Sequence, residues 1–141
     1  MNAMRTFLQL HQKLYIASGG AIGHRVPGMP PSLLLTSVGA KTGARRVNSL
    51  TYARDGDRFI VVASNGGARR NPAWLHNLKA HPDTSVQVGR RTVDVHASAL
   101  DPADADYARL WKIADDNNSG RYAAYQRKTQ RQIPVVVLAP R

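Results

Sequence analysis

Apolar and polar positions divide this chain into short elements. Between Met4 and Ala17, Phe7, Leu8, Leu10, Leu14 and Tyr15 fall near helical spacing, with Arg5, Gln9, Gln12 and Lys13 between them. That pattern predicts a short amphipathic helix, ended by Ser18-Gly19-Gly20 and followed by a Gly- and Pro-bearing loop to Pro31. Ser32 to Val38 is a nearly continuous apolar run and predicts a buried strand; Arg46 to Arg54 predicts a second, packing through Val47, Leu50, Tyr52 and Ala53. Asp55-Gly56-Asp57 signals a tight turn, and Arg58 to Ser64 predicts the returning strand. Asn71 then reads as a helix cap with Pro72 at the first helical position, and Trp74, Leu75 and Leu78 form that helix's apolar face up to His81-Pro82-Asp83.

Ser85 to Val88 and Thr92 to Leu100 alternate in period two around Gly89-Arg90, which predicts a hairpin. Asp101-Pro102 opens a predicted helix to about Asn117, with Tyr107, Leu110, Trp111 and Ile113 apolar. A second helical piece carries Tyr122, Tyr125 and Gln126, and Ile133 to Leu138 predicts a last buried strand. Short strands joined by tight turns point to an antiparallel barrel with attached helices, mainly β (α+β), and away from a parallel doubly wound sheet. The 141 residues are most simply one domain, 1–141, in which 1–31 form the amino-terminal helix and loop.

Charge changes this picture most. The net charge is +11, with fifteen arginines among the twenty basic residues, and all nine acids are aspartate. The stretch Gly39 to Arg91 holds ten basic residues and three acids. Such a middle attracts anions: a phosphorylated small molecule, nucleic acid or an anionic surface. There is no cysteine, so disulfides, thiolate metal sites and cysteine nucleophiles are excluded. No apolar run approaches the ~20 residues of a membrane span, and the amino terminus lacks a signal-peptide layout, so a cytoplasmic location is expected. The first helix packs on the domain in the plainer reading and touches a membrane surface in the other.

Most familiar chemistries find no support. Lys41-Thr42-Gly43 has the glycine on the wrong side of the lysine for a nucleotide phosphate loop, and no GxGxxG follows a strand. His11, His24, His76, His81 and His96 have no acid or cysteine partners at ligand spacing, so no metal site is expected. Ser37, Ser64 and Ser119 lack a nucleophile setting, and Asp55 and Asp57 are explained by the hairpin turn. What survives is the grip on an extended anion. Two glycine-bearing, arginine-flanked loops, Gly39 to Arg46 and Ser64 to Arg70, follow predicted strands. Backbone amides near Gly43 and Gly66-Gly67, with Lys41, Arg45, Arg46, Arg69 and Arg70, make a phosphate and carboxylate site. Trp74 reads first as core; Tyr122 and Tyr125, three apart, share a helix face and can supply flat walls and a hydroxyl donor.

LLLTSVGAKTGARRVNSL, DGDRFIVVASNGGARRNPAWLHNLKAHP and YAAYQRKTQRQIPVVVLAP together resemble the deazaflavin-dependent nitroreductase family. The resemblance runs from about Gln12 to Pro140 and is carried by G-x-K-[ST]-G-x-x-R, A-S-x-G-G and N-P-x-W in that order. It implies a split β-barrel of the FMN-binding type and coenzyme F420 as cofactor. The implied activity is hydride transfer from the reduced deazaflavin to a quinone, nitroaromatic or activated alkene. By position, Lys41, Thr42, Gly43, Arg45 and Arg46 would hold the cofactor's phosphate and oligoglutamate tail. Ala63, Ser64, Asn65, Gly66 and Gly67 would line the ring and ribityl chain, with Arg69 and Arg70 near the tail and Asn71, Pro72 and Trp74 supporting the loop. Tyr122 and Tyr125 match two of the tyrosine positions over the ring and are the expected catalytic residues; a third falls at Ser119, and Ser49 stands where many members carry proline. The resemblance also implies a homodimer, and a first helix that covers the site or contacts membrane; no nucleic-acid partner is expected. The rival readings are an FMN- or haem-binding split barrel and a non-catalytic module that binds F420 or nucleic acid.

Overall fold

The structure, a computed structural model, describes residues 30–141, so the helix predicted over Met4 to Ala17 lies outside the described residues. Ten regular elements follow in order: β1 (Ser32–Val38), β2 (Arg45–Thr51), β3 (Ala53–Asp55), β4 (Arg58–Val62), α1 (Ala73–Ala80), β5 (Asp83–Val88), β6 (Arg91–Leu100), α2 (Tyr107–Asn117), α3 (Arg121–Gln126) and β7 (Val135–Pro140). Every strand pair is antiparallel, and the sheet order is β2-β1-β5-β6-β7-β4-β3. The two outermost strands, β2 and β3, are neighbours in the chain with only Tyr52 between them. One extended path therefore pairs first with β1 and then with β4, and the sheet must curl until its edges share a backbone. The fold is a split β-barrel, as expected.

That closure corrects the reading of Arg46 to Arg54 as one strand. The ladder breaks at Tyr52, where the chain changes partner and the Tyr52 N–H donates to the Pro31 carbonyl at 3.1 Å. The Tyr52 ring turns inward and meets Phe59 edge-on, with centroids 5.6 Å apart.

Strands β4 and β7 read as solid apolar runs because both of their faces are covered. Phe59, Val61, Val136 and Leu138 enter the barrel core with Leu33, Leu35, Val86, Val95 and the α1 residues Trp74, Leu75 and Leu78. Their alternates Ile60, Val62, Val135 and Val137 face the other way, under Leu110 and Ala114 of α2 and Tyr122 of α3. Period two along a strand thus divides one apolar run between two cores. Each fully buried Leu, Ile, Val or Phe side chain contributes about 1.5–3 kcal/mol, so both layers hold the site's scaffold firmly.

Two helix starts differ from the sequence reading. Helix α2 begins at Tyr107, because aspartates take the upstream amides into turns: Asp101 N–H donates to Asp104 Oδ2 at 2.8 Å and Ala103 N–H to Asp101 Oδ1 at 2.9 Å. Helix α1 begins at Ala73 with Pro72 as the preceding cap residue, and no side chain caps it. Asn71 is engaged elsewhere, as described below. Helix α2 is tied to the β3–β4 turn by Arg109, whose two terminal nitrogens reach the Asp55 carboxylate at 2.9 and 3.2 Å; Arg58 binds the same carboxylate. No helix among the described residues is long and apolar enough to cross a membrane.

Candidate functional site

The first glycine loop, between β1 and β2, is closed by its own backbone. Gly39 N–H donates to the Ala44 carbonyl at 2.8 Å and Gly43 N–H to the Gly39 carbonyl at 2.9 Å. Gly43 has a φ of 71°, which suits glycine. A Cβ on Gly39 would lie 2.6 Å from Thr42 Oγ1, and that hydroxyl also accepts the Ala44 N–H at 3.2 Å. The loop is fastened to α1 by Asn77, a buried amide that accepts the Ala40 N–H at 3.0 Å and donates to Ser37 Oγ at 3.2 Å.

The second loop leaves β4 through Ala63 and Ser64 and turns at Asn65–Gly67, where all three φ angles are positive: 46°, 64° and 82°. Asparagine tolerates the left-handed region better than most residues, and Asn65 also closes the loop by donating from Nδ2 to the Arg70 carbonyl at 3.0 Å. Gly67 sits against α3: a Cβ there would lie 2.8 Å from the Tyr125 carbonyl oxygen.

Between the two loops lies a cleft of about 940 Å³, floored by α1. Lys41 and Thr42 line it from the first loop, Arg46, Val47 and Asn48 from β2, Asn65 and Arg70 from the second loop, and Asn71, Pro72, Trp74 and His76 from the start of α1. Three cations and no acid line it, so its field favours an anion large enough to span both loops. Trp74 is mostly core, 6% exposed, as its apolar spacing implied, and presents little surface to the cleft.

Several expected residues stand elsewhere. Arg45 follows the first loop on β2 but is not among the cleft's lining residues, and neither are Gly43, Gly66 or Arg69. Ala63 is fully enclosed in the barrel core, Ser64 is buried, and Gly67 is packed on α3; these three residues support the turn and are not among those lining the cleft. Tyr122 and Tyr125 stand on α3, against which Gly67 packs, and are not among the cleft's lining residues. Tyr122 is 6% exposed, hydrogen-bonds the Asn118 side chain and packs on Trp111; burial raises its hydroxyl pKa far above the ordinary tyrosine value. Tyr125 is half-buried, with Lys128 Nζ 5.7 Å from its ring centre.

Four residues important to the cleft were not expected there from the sequence. His76 and Asn48 line it; Asn77 fastens the first loop and Arg131 the second. Asn77 had a signal, a polar residue between Leu75 and Leu78 on an otherwise apolar helix face. Arg131 had none that separates it from Arg127, because its partners lie more than sixty residues away in the chain.

Known proteins resemble this one along nearly its whole length. The family model described as F420H(2)-dependent quinone reductase matches residues 7–140. An F420H(2)-dependent quinone reductase of Mycobacterium tuberculosis is 55% identical over 134 residues, which cover 95% of this chain and 90% of that protein. Among solved structures, an F420-H2 dependent reductase superposes with a TM-score of 0.68 at 37% identity, covering 77% of this chain and 93% of its own. A domain-swapped dimer superposes with a TM-score of 0.71 at 31% identity, covering 96% and 99%.

Proposed function

The chain belongs to the F420H(2)-dependent quinone reductase family, and on that premise we propose how its cleft is used. The protein is an F420-dependent oxidoreductase, and coenzyme F420 is its cofactor. The observation that carries the placement is the cleft of about 940 Å³ lined by Lys41, Arg46 and Arg70 with no carboxylate. A phosphate followed by several carboxylates is the ligand chemistry such a donor set fits. Lys41, Thr42 and Arg46 hold the phosphate, and Arg70 meets the tail. Asn65, Asn71, Pro72 and Trp74 hold the wall toward the ring, with Arg45 and Arg69 contributing to the field from outside the lining.

When bound in reduced form, the cofactor supplies a hydride to an electron-poor acceptor. The protein's part is to fix both reactants in contact, to exclude water and to stabilise the charge that develops on the acceptor. The acceptor is a quinone, which takes the hydride and one proton to become a hydroquinone. Tyr125 is the residue for hydrogen-bonding the acceptor: it is the less enclosed of the two tyrosines, whereas Tyr122 is held in the second core. A homodimer belongs to the same reading, supported by the domain-swapped dimer that this chain resembles.

Incubation with reduced F420 and menadione, beside a protein-free control, tests the activity through the return of oxidised-cofactor fluorescence. Catalysed return that stops when either reactant is omitted is the expected result. Oxidation no faster than the control, or turnover supported by reduced FMN but not by reduced F420, would overturn it.

A further inference from the structure

The Arg131 guanidinium is occupied by the second glycine loop and the two residues that flank it, Ala63 and Asn71. Its Nε donates to the Ala68 carbonyl at 2.8 Å, Nη2 to the Ser64 carbonyl at 2.7 Å, and Nη1 to the Ala63 carbonyl at 3.2 Å and Asn71 Oδ1 at 2.8 Å. No carboxylate pairs with it among the described residues. Gln126 of α3 holds the segment that carries it, donating to the Arg131 carbonyl at 2.8 Å and accepting the Ile133 N–H at 3.0 Å.

In a trans peptide the carbonyl of one residue and the N–H of the next point in opposite directions. Arg131 draws the carbonyls of Ser64 and Ala68 toward itself, so the N–H groups of Asn65 and Arg69 point away from it. Neither N–H has a hydrogen-bond partner among the described residues. A loop with two adjacent glycines would otherwise sample many conformations. Here a five-donor fork and a buried glycine contact select one of them, and an unneutralised positive charge stands behind it.

We propose that Arg131 is a positioning residue for the anionic cofactor: it holds the Ala63–Asn71 turn from behind, so that free backbone N–H groups and a net positive charge are presented to the ligand before it binds. This rests on the placement of coenzyme F420 in the adjoining cleft. Arg131 touches neither reactant in this account, so it governs cofactor affinity and leaves the chemical step alone.

The test compares wild type, R131K and R131Q by F420 fluorescence titration, by KM and kcat with reduced F420 and menadione, and by thermal melting. R131Q is expected to weaken F420 binding and raise its KM about tenfold or more, while kcat stays within about threefold and the menadione KM is unchanged. R131K restores the charge without the fork and is expected to recover only part of the affinity; added guanidinium at sub-denaturing concentration should rescue R131Q where sodium does not. An R131Q or R131K affinity within about twofold of wild type overturns the proposal, as does a loss of kcat equal to the rise in KM. If R131Q does not fold, R131K alone carries the comparison. A wild type that fails to bind F420 removes the placement of the cofactor itself, a result distinct from equal binding by wild type and variants.

Discussion

Asn77 and Ala40, thirty-seven residues apart, are joined by a hydrogen bond of 3.0 Å from the Ala40 N–H to the Asn77 side-chain oxygen. The same amide donates to Ser37 Oγ, a hydroxyl only 1% exposed, so one buried side chain fixes both ends of the turn into the first glycine loop. N77L keeps the volume and removes both bonds. It is expected to cost about 1–3 kcal/mol, because the buried Ser37 hydroxyl loses its partner where water reaches poorly and the exposed Ala40 loses its tie to α1. Urea unfolding measures that cost, and an F420 titration should show weaker binding from a loosened Lys41 loop. Wild-type stability together with wild-type affinity would contradict the role given to Asn77.

Gly66 and Gly67 both have positive φ but differ in surroundings. A Cβ on Gly66 meets nothing within 4 Å, so G66A is expected to cost only about 1–2 kcal/mol for the left-handed backbone. A Cβ on Gly67 lies 2.8 Å from the Tyr125 carbonyl, so G67A adds about 1–3 kcal/mol of overpacking and pushes the turn off α3. Melting temperatures of the two variants should therefore separate clearly, with G67A the lower. Equal melting temperatures would contradict the packing described.

Asp55 is held down to about 2 from the usual 3.8, first by the Arg109 hydrogen bonds and then by Arg58. A carboxyl whose folded pKa is depressed stabilises the protein fully above the unfolded pKa and loses that contribution as pH falls through the folded one. D55N is therefore expected to be less stable than wild type at neutral pH, with the gap closing between about pH 4 and pH 2. Denaturant midpoints for both proteins across that range measure it. A gap that stays constant down to pH 2 would show that Asp55 acts through packing and not through its charge. Asp55 is partly exposed, so salt is expected to shrink the same gap.

Tyr122 and Tyr125 share a helix face in the sequence, yet one is buried and the other only half-buried. Y122F removes a hydroxyl bonded to Asn118 inside the second core, so it is expected to lower the melting temperature and leave kcat within about twofold. Y125F is expected to reduce quinone turnover about tenfold or more with little change in stability. Unchanged turnover of every acceptor in Y125F would remove Tyr125 from the acceptor site.

Much of this architecture was legible in the pattern of apolar residues. The runs Leu33–Leu35, Phe59–Val62 and Val135–Leu138 announce buried strands, and the Gly89-Arg90 hairpin was marked by strict alternation on both sides. The break at Tyr52 was not legible, because it depends on a change of partner strand and on no local property of Tyr52. The start of α2 was missed because Asp101-Pro102 is a good helix opening, and the competing aspartate turns differ from it by only a few hydrogen bonds. At the site, the cations Lys41, Arg46 and Arg70 were visible from charge and glycine spacing. Arg131 and Asn77 were not singled out, because a side chain's buried partners far along the chain leave no trace in its own neighbourhood.

If the cations of the two loops hold coenzyme F420, removing them must show in one titration. F420 fluorescence is followed as wild type and the K41Q/R46Q/R70Q variant are added, at low and high salt, with FMN run alongside. Saturable F420 binding by wild type that weakens with salt, weak FMN binding, and a loss of F420 affinity of about a hundredfold in the variant are expected, since each charge-assisted contact contributes about 1.5–3 kcal/mol and not all are independent. Equal F420 affinity in the two proteins, or binding indifferent to salt, would contradict it.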